Sequence, residues 1–198
     1  MLMNSLADIT TAARQRWGDR TALVFEGRRF GCAEIDRLAC RLANALTALG
    51  IGPGDRVTIY SPNCWEWIVA YYGTLKTGAV ANPINVMLTP AEVAFVARDC
   101  GARAIFVSHD KAAAVLDLAR DTPLEHVIAF GAAPAGALRF EDLLAQAADT
   151  FQPPAIDPLS MSTICYTSGT TGHPKGAMHS HRNVLMNTAL TAVMHQHR

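Results

Sequence analysis

Residues 164–181 read ICYTSGTTGHPKGAMHSH, and this stretch decides how the rest of the chain is understood. The apolar run stops at Tyr166. Thr167, Ser168, Thr170 and Thr171 supply four hydroxyls within the next few positions, interleaved with Gly169 and Gly172. Pro174 and Lys175 follow, then a His-x-His pair at 179 and 181. Residues 161–166 are expected to form a strand. The glycine-rich segment is expected to be a loop leading to a helix over 181 to about 194, capped by Ser180, with Leu185, Ala189 and Ala192 on one face. A strand that ends in such a loop is a place to hold phosphate. Glycines let successive backbone N–H groups converge into a nest that attracts anions. The hydroxyls add donors, and Lys175 adds a point charge on a flexible stem. A hydroxyl here also suits Mg²⁺ carried by a nucleotide.

The spacing is not that of a Walker phosphate loop, which needs Gly, four residues, then Gly-Lys-Ser/Thr. Five positions beyond Gly169 lies Pro174, five beyond Gly172 lies Ala177, and Lys175 is followed by Gly176. Gly50-Ile-Gly-Pro-Gly-Asp55 is not a dinucleotide fingerprint either, because it follows a helical pattern and has Asp55 at the last required glycine. The charge distribution favours an anion near the loop. From Pro158 onward there is no Asp or Glu, while Lys175, Arg182, Arg198 and five of the seven histidines lie there.

Working outward, the rest of the chain alternates short strands with amphipathic helices. Strands are expected at 21–25, 28–30, 56–60, 79–81, 104–107 and 126–130. Helices are expected at 32–49, 64–77, 90–100, 111–120 and 140–148. Ile35, Leu38, Leu42, Leu46 and Leu49 form an apolar stripe, with Asp36, Arg37 and Arg41 off it. Gly31 is the expected cap of that helix, with Glu34 as half a capping box. Trp65, Trp67, Ile68, Val69, Tyr71 and Tyr72 make the next helix apolar nearly all round, so it is expected to be buried, with both tryptophans in the core. Thr89-Pro-Ala-Glu92 is a full capping box. Segments 131–136 and 150–160 read as linkers. The pattern implies α/β, with a mainly parallel doubly wound sheet and flanking helices.

Composition narrows the function classes. The 198 residues carry a formal net charge of zero, which gives no argument for a nucleic-acid partner. Half the residues are hydrophobic, enough for a sizeable core. No stretch approaches the ~20 apolar residues of a membrane span, and the start lacks the basic and apolar regions of a secretory signal. Cys32, Cys40, Cys64, Cys100 and Cys165 are odd in number and widely spaced, so neither a disulfide framework nor a zinc site is expected, and a cytoplasmic location fits. Cys165 is expected to act as a small hydrophobe. The His179/His181 pair lacks further ligands for a metal, and His195-Gln-His197 reads as a fraying end.

The string YTSGTTGHPKG, Tyr166 to Gly176, resembles the phosphate-loop signature of the adenylate-forming (AMP-binding) enzymes, and of acyl-CoA synthetases in particular. Leu75 to Asn85, LKTGAVANPIN, is similar to a second motif of that family, and Phe30 to Ile35, FGCAEI, to a first. Gly31-Cys32 departs from the Thr-Tyr or Ser-Tyr common there, which touches a helix cap and not the chemistry. Gly176-Ala177-Met178 and His181-Arg182-Asn183 resemble the segment after the loop.

The resemblance implies an ATP-dependent ligase that joins a small carboxylic acid, fatty or aromatic, to coenzyme A through an acyl-adenylate. It implies that Thr167, Ser168, Gly169, Thr170, Thr171, Gly172 and Lys175 wrap the β- and γ-phosphates of ATP, with Thr167 as the contact to Mg²⁺. The nucleophile is the substrate's own carboxylate, so no catalytic side chain is assigned. Family members run to more than twice this length, so residues 1–198 are expected to be a partial N-terminal domain without the C-terminal domain, and inactive alone. A truncated, non-catalytic nucleotide-binding or interaction module is the alternative. A sheet ending here is expected to expose an edge and apolar helix faces, favouring a homodimer, aggregation or marginal stability.

Overall fold

The computed structural model describes residues 4–167 and 174–194. The chain opens with a single 3-10 turn (Leu6–Asp8) and α1 (Ile9–Trp17). A hairpin of β1 (Thr21–Phe25) and β2 (Arg28–Gly31) forms a separate two-stranded sheet. Then follow α2 (Cys32–Ala48), β3 (Arg56–Tyr60), α3 (Trp65–Lys76), β4 (Val80–Pro83), α4 (Pro90–Cys100), β5 (Ala102–Ser108), α5 (Ala112–Ala119) and β6 (His126–Phe130). The described chain closes with β7 (Leu138–Arg139), α6 (Phe140–Gln146), β8 (Met161–Thr167), β9 (Lys175–Ser180) and α7 (His181–Met194).

Seven strands form one sheet in the order β7-β6-β5-β3-β4-β8-β9. Every pairing is parallel except β8 with β9. Strand side chains alternate between faces, and the two faces are covered by different helices. Val57, Ile59, Ala104, Phe106, Ile128 and Phe130 pack beneath α2, α3 and α6. Ile105, Val107, Val127 and Ala129 pack beneath α4 and α5. This is the doubly wound α/β arrangement that the alternation of strands and helices implies.

Local chemistry explains the helices. Thr89 accepts the amide of Glu92, whose carboxylate accepts the Thr89 amide and hydroxyl, so the capping box starts α4 as expected. Gly73 lets α3 lie tightly on α2: a Cβ there would come within 2.7 Å of Leu42. Trp65 stacks on Phe30 at 5.4 Å and meets Phe140 edge-on, a core role for that tryptophan.

Two readings are corrected. Asp36, read as lying off the apolar stripe of α2, is nevertheless buried because α1 crosses it. It pairs with Lys76 at 3.0 Å and accepts hydrogen bonds from Thr10 and Thr11. Burial by itself would raise the Asp36 carboxyl pKa; the Lys76 ammonium and the two hydroxyls outweigh it, and the net shift is downward. The second correction concerns residues 175–180. They were expected to continue the loop into a helix, but they form β9, which returns antiparallel along β8 before α7 begins.

Candidate functional site

The described ends of the phosphate-loop signature, Tyr166-Thr167 and Lys175-Gly176, therefore lie on paired antiparallel strands, and Lys175 leads into β9 and not directly into a helix. β8 arrives next to β4 through the pair Ala81–Thr163, and its carboxyl end points the same way as those of β3, β4 and β5. Ligands of open α/β sheets bind at that edge. Here β3 leads to α3 on one face while its neighbour β4 leads to α4 on the other.

Thr167 ends β8 and Lys175 begins β9, and the two face each other across the hairpin. Residues so paired project to the same side, with Cβ atoms about 5 Å apart. Both are exposed. The hairpin thus brings a hydroxyl and an ammonium together at its open end. Among the described residues Lys175 forms no ion pair, so its charge is available to a ligand. Ser168, Gly169, Thr170, Thr171 and Gly172 lie outside the described residues, as do His195 and His197.

The hairpin is tied down at both ends. At the open end, the Tyr166 hydroxyl donates to Asp99 Oδ2 on α4 at 2.5 Å. Gly176 stands opposite Tyr166, and a Cβ there would lie 2.9 Å from Ile164 Cγ2 and 3.1 Å from Tyr166 Cζ. Only a bare backbone lets the ring lie so close. At the base, the His181 amide donates to Ser160 O and the Arg182 amide to Pro158 O. The His181 ring is almost wholly buried, and its Nδ1 accepts the Leu6 amide at 3.1 Å. Burial lowers the pKa of this imidazole, partly offset by Asp8. Ser180 caps α7 as expected: its hydroxyl accepts the Asn183 amide and donates to Asn183 Oδ1.

Sequence reasoning gave no role to Asp99 or Leu6. Their partners lie 67 and 175 positions away, and no local pattern links them. Cys165 is half-buried, and burial raises its thiol pKa, which fits an inert side chain and not a nucleophile. Among the described residues no group of His, Cys, Asp and Glu could hold a metal by itself, and no helix is long and apolar enough to cross a membrane.

Comparison with known proteins agrees with this geometry. The profile of the AMP-binding enzyme family matches residues 10–198. The chain is 35% identical over 175 residues to the 3-hydroxybenzoate–CoA/4-hydroxybenzoate–CoA ligase of Thauera aromatica, covering 87% of this chain and 34% of that protein. It is 40% identical over 161 residues to the long-chain-fatty-acid–CoA ligase FadD13 of Mycobacterium tuberculosis, covering 79% of this chain and 30% of that one. The crystal structure of the anthranilate CoA ligase AuaEII in complex with anthranoyl-AMP superposes with a TM-score of 0.91 at 29% identity, over 96% of this chain and 37% of that one. The chain thus spans about a third of the length of these relatives. A matching profile over nearly all residues, together with a shared sheet and the hairpin signature, means that the chain belongs to the AMP-binding enzyme family.

Proposed function

We propose that residues 1–198 supply the ATP phosphate-binding part of an AMP-forming acid–CoA ligase, as a partial N-terminal domain of a longer enzyme. The observation that carries this reading is the juxtaposition of Thr167 and Lys175 at the open end of a hairpin, in a segment without carboxylates. The reaction has two steps. A substrate carboxylate attacks the α-phosphorus of ATP and pyrophosphate leaves. The thiol of coenzyme A then attacks the acyl carbonyl carbon and AMP leaves.

In the first step negative charge builds on the departing pyrophosphate. The Lys175 ammonium, the Thr167 hydroxyl and the loop residues Ser168, Gly169, Thr170, Thr171 and Gly172 are placed in the sequence to meet it, which is electrostatic stabilisation by fixed donors. Mg²⁺ carried by the nucleotide would add charge neutralisation, and Thr167 would offer it one hard oxygen. The acid is proposed to be aromatic or fatty, because the relatives' names include hydroxybenzoate, anthranilate and long-chain fatty acid ligases. Five free thiols fit a reducing, cytoplasmic setting.

The test is substrate-dependent exchange of labelled pyrophosphate into ATP by the complete enzyme. Lys175→Ala is expected to slow exchange about 100-fold or more, the scale of losing one transition-state donor. Exchange at the unaltered rate would refute the assignment. Adenylate formation by residues 1–198 alone would instead refute the need for further polypeptide.

A further inference from the structure

We infer that Tyr166 and Asp99 form a latch that fixes the mouth of the phosphate hairpin, and that both are positioning residues for the nucleotide. The inference rests on the phosphate-binding role proposed for Thr167 and Lys175. Tyr166 immediately precedes Thr167, so its side chain projects to the opposite face of β8. Its ring packs with the cluster under α4, and its hydroxyl reaches Asp99 Oδ2. Thr167 is left on the other side, level with Lys175.

Three further observations support a latch. Gly176, the residue directly across from Tyr166, lacks the Cβ that would press on Ile164 Cγ2 at 2.9 Å and on the Tyr166 ring at 3.1 Å, so the opposite strand leaves room for that ring. Asp99 belongs to a firmly held element: the Arg56 guanidinium donates to the carbonyls of Cys100 and Gly101, just beyond it. Asp99 also lies in the last turn of α4, where a carboxylate is disfavoured by the helix dipole. A residue that costs its own helix stability, yet accepts the Tyr166 hydroxyl from the hairpin mouth, is placed for the hairpin and not for the helix.

The experiment compares Tyr166→Phe, Asp99→Ala and the double variant with the unaltered chain. Amide hydrogen exchange is read over residues 161–167 and 174–180. Each single variant is expected to speed exchange there about 2- to 10-fold, the range of one lost hydrogen bond. The double variant is expected to add nothing further. Asp99→Ala is expected to slow exchange within α4, because it removes the unfavourable charge, so the two elements move in opposite directions. In the complete enzyme, Tyr166→Phe is expected to raise KM for ATP by about the same 2- to 10-fold with kcat little changed. Unaltered hairpin exchange, or additive effects in the double variant, would overturn the latch whatever becomes of the ligase reading. Faster exchange with unchanged KM would overturn the positioning role while leaving the phosphate assignment of Lys175 intact.

Discussion

The centre of the sheet and its β8–β9 end are held by different forces. In β5 every residue from Ala104 to Val107 is fully buried, with Phe106 stacked on Phe130 and helices closing both faces. In β9 the first four residues are exposed, and among the described residues only β8 pairs with the strand. α7 buries His181 and rests Val184 and Leu185 on the cluster of Leu6, Leu75 and Ala81. Met186, Leu190, Val193 and Met194 of the same helix face solvent. Apolar burial, at roughly 25 cal/mol per Å², stabilises the centre. The end depends on a few directed contacts: Tyr166 with Asp99, His181 with Leu6, and the short ladder between the strands. The difference shows where chemistry can sit. A residue that must meet a charged ligand has to keep its charge solvated and unpaired, so it belongs at the less buried end, on a scaffold supplied by the other.

Three perturbations test this contrast. The largest effect is expected at Lys76, whose side chain is fully buried beside Asp36. Lys76→Ala leaves the buried carboxylate with only the half-exposed Arg14 guanidinium, at 3.4 Å, as a charged partner, and is expected to cost about 3–5 kcal/mol in urea unfolding. A loss below about 1 kcal/mol would mean that Arg14, Thr10 and Thr11 are enough to hold the buried carboxylate without Lys76.

An intermediate effect is expected at His181. Its folded pKa lies below the ordinary value, so the unfolded chain binds the proton more readily and stability rises with pH. The His181 contribution is complete above the unfolded pKa, near 6.5, and is lost as pH falls through the lower folded value. Protonated Nδ1 also no longer accepts the Leu6 amide. The urea midpoint is expected to fall between pH 7 and pH 5, and His181→Asn, whose amide oxygen accepts without titrating, is expected to flatten that part of the curve. An equal slope in both proteins would remove His181 as the cause.

The smallest effect is expected on the open face of α7. Leu190→Gln keeps helix propensity and is expected to change stability by less than about 0.5 kcal/mol. A larger loss, or a change in sedimentation, would show that this face is covered by another polypeptide.

Much of the fold was legible in the sequence, for physical reasons visible at single residues. Leu38, Leu42 and Leu46 mark α2 because a helix repeats its buried face every three to four positions. Thr89 and Glu92 mark the start of α4 because they satisfy each other's backbone donors. The parallel sheet followed from strands separated by helices. β9 was not legible: Lys-Gly-Ala-Met-His-Ser carries no alternation, since an edge strand with most residues in solvent has no apolar face to display. β7 is two residues long, too short for any periodicity. Asp36 was misread because the stripe on α2 says nothing of α1 crossing its polar side. Within the candidate site, Thr167 and Lys175 were legible as residue types in a dense local string. Their partners were not.

The sequence alone determined the main helices, the central strands and which residues carry the donors, because helix periodicity, capping and glycine-rich loops are local properties of neighbouring residues. The family likeness lies in the same local strings. Only the tertiary structure decided that Thr167 and Lys175 face each other across paired strands, that Lys76 and Asp36 meet in the interior, and that Tyr166 and His181 anchor β8 and β9 to α4 and to the N-terminal turn. The last three contacts join residues 40, 67 and 175 positions apart. They form only once the chain has folded back on itself, so no run of adjacent residues encodes them.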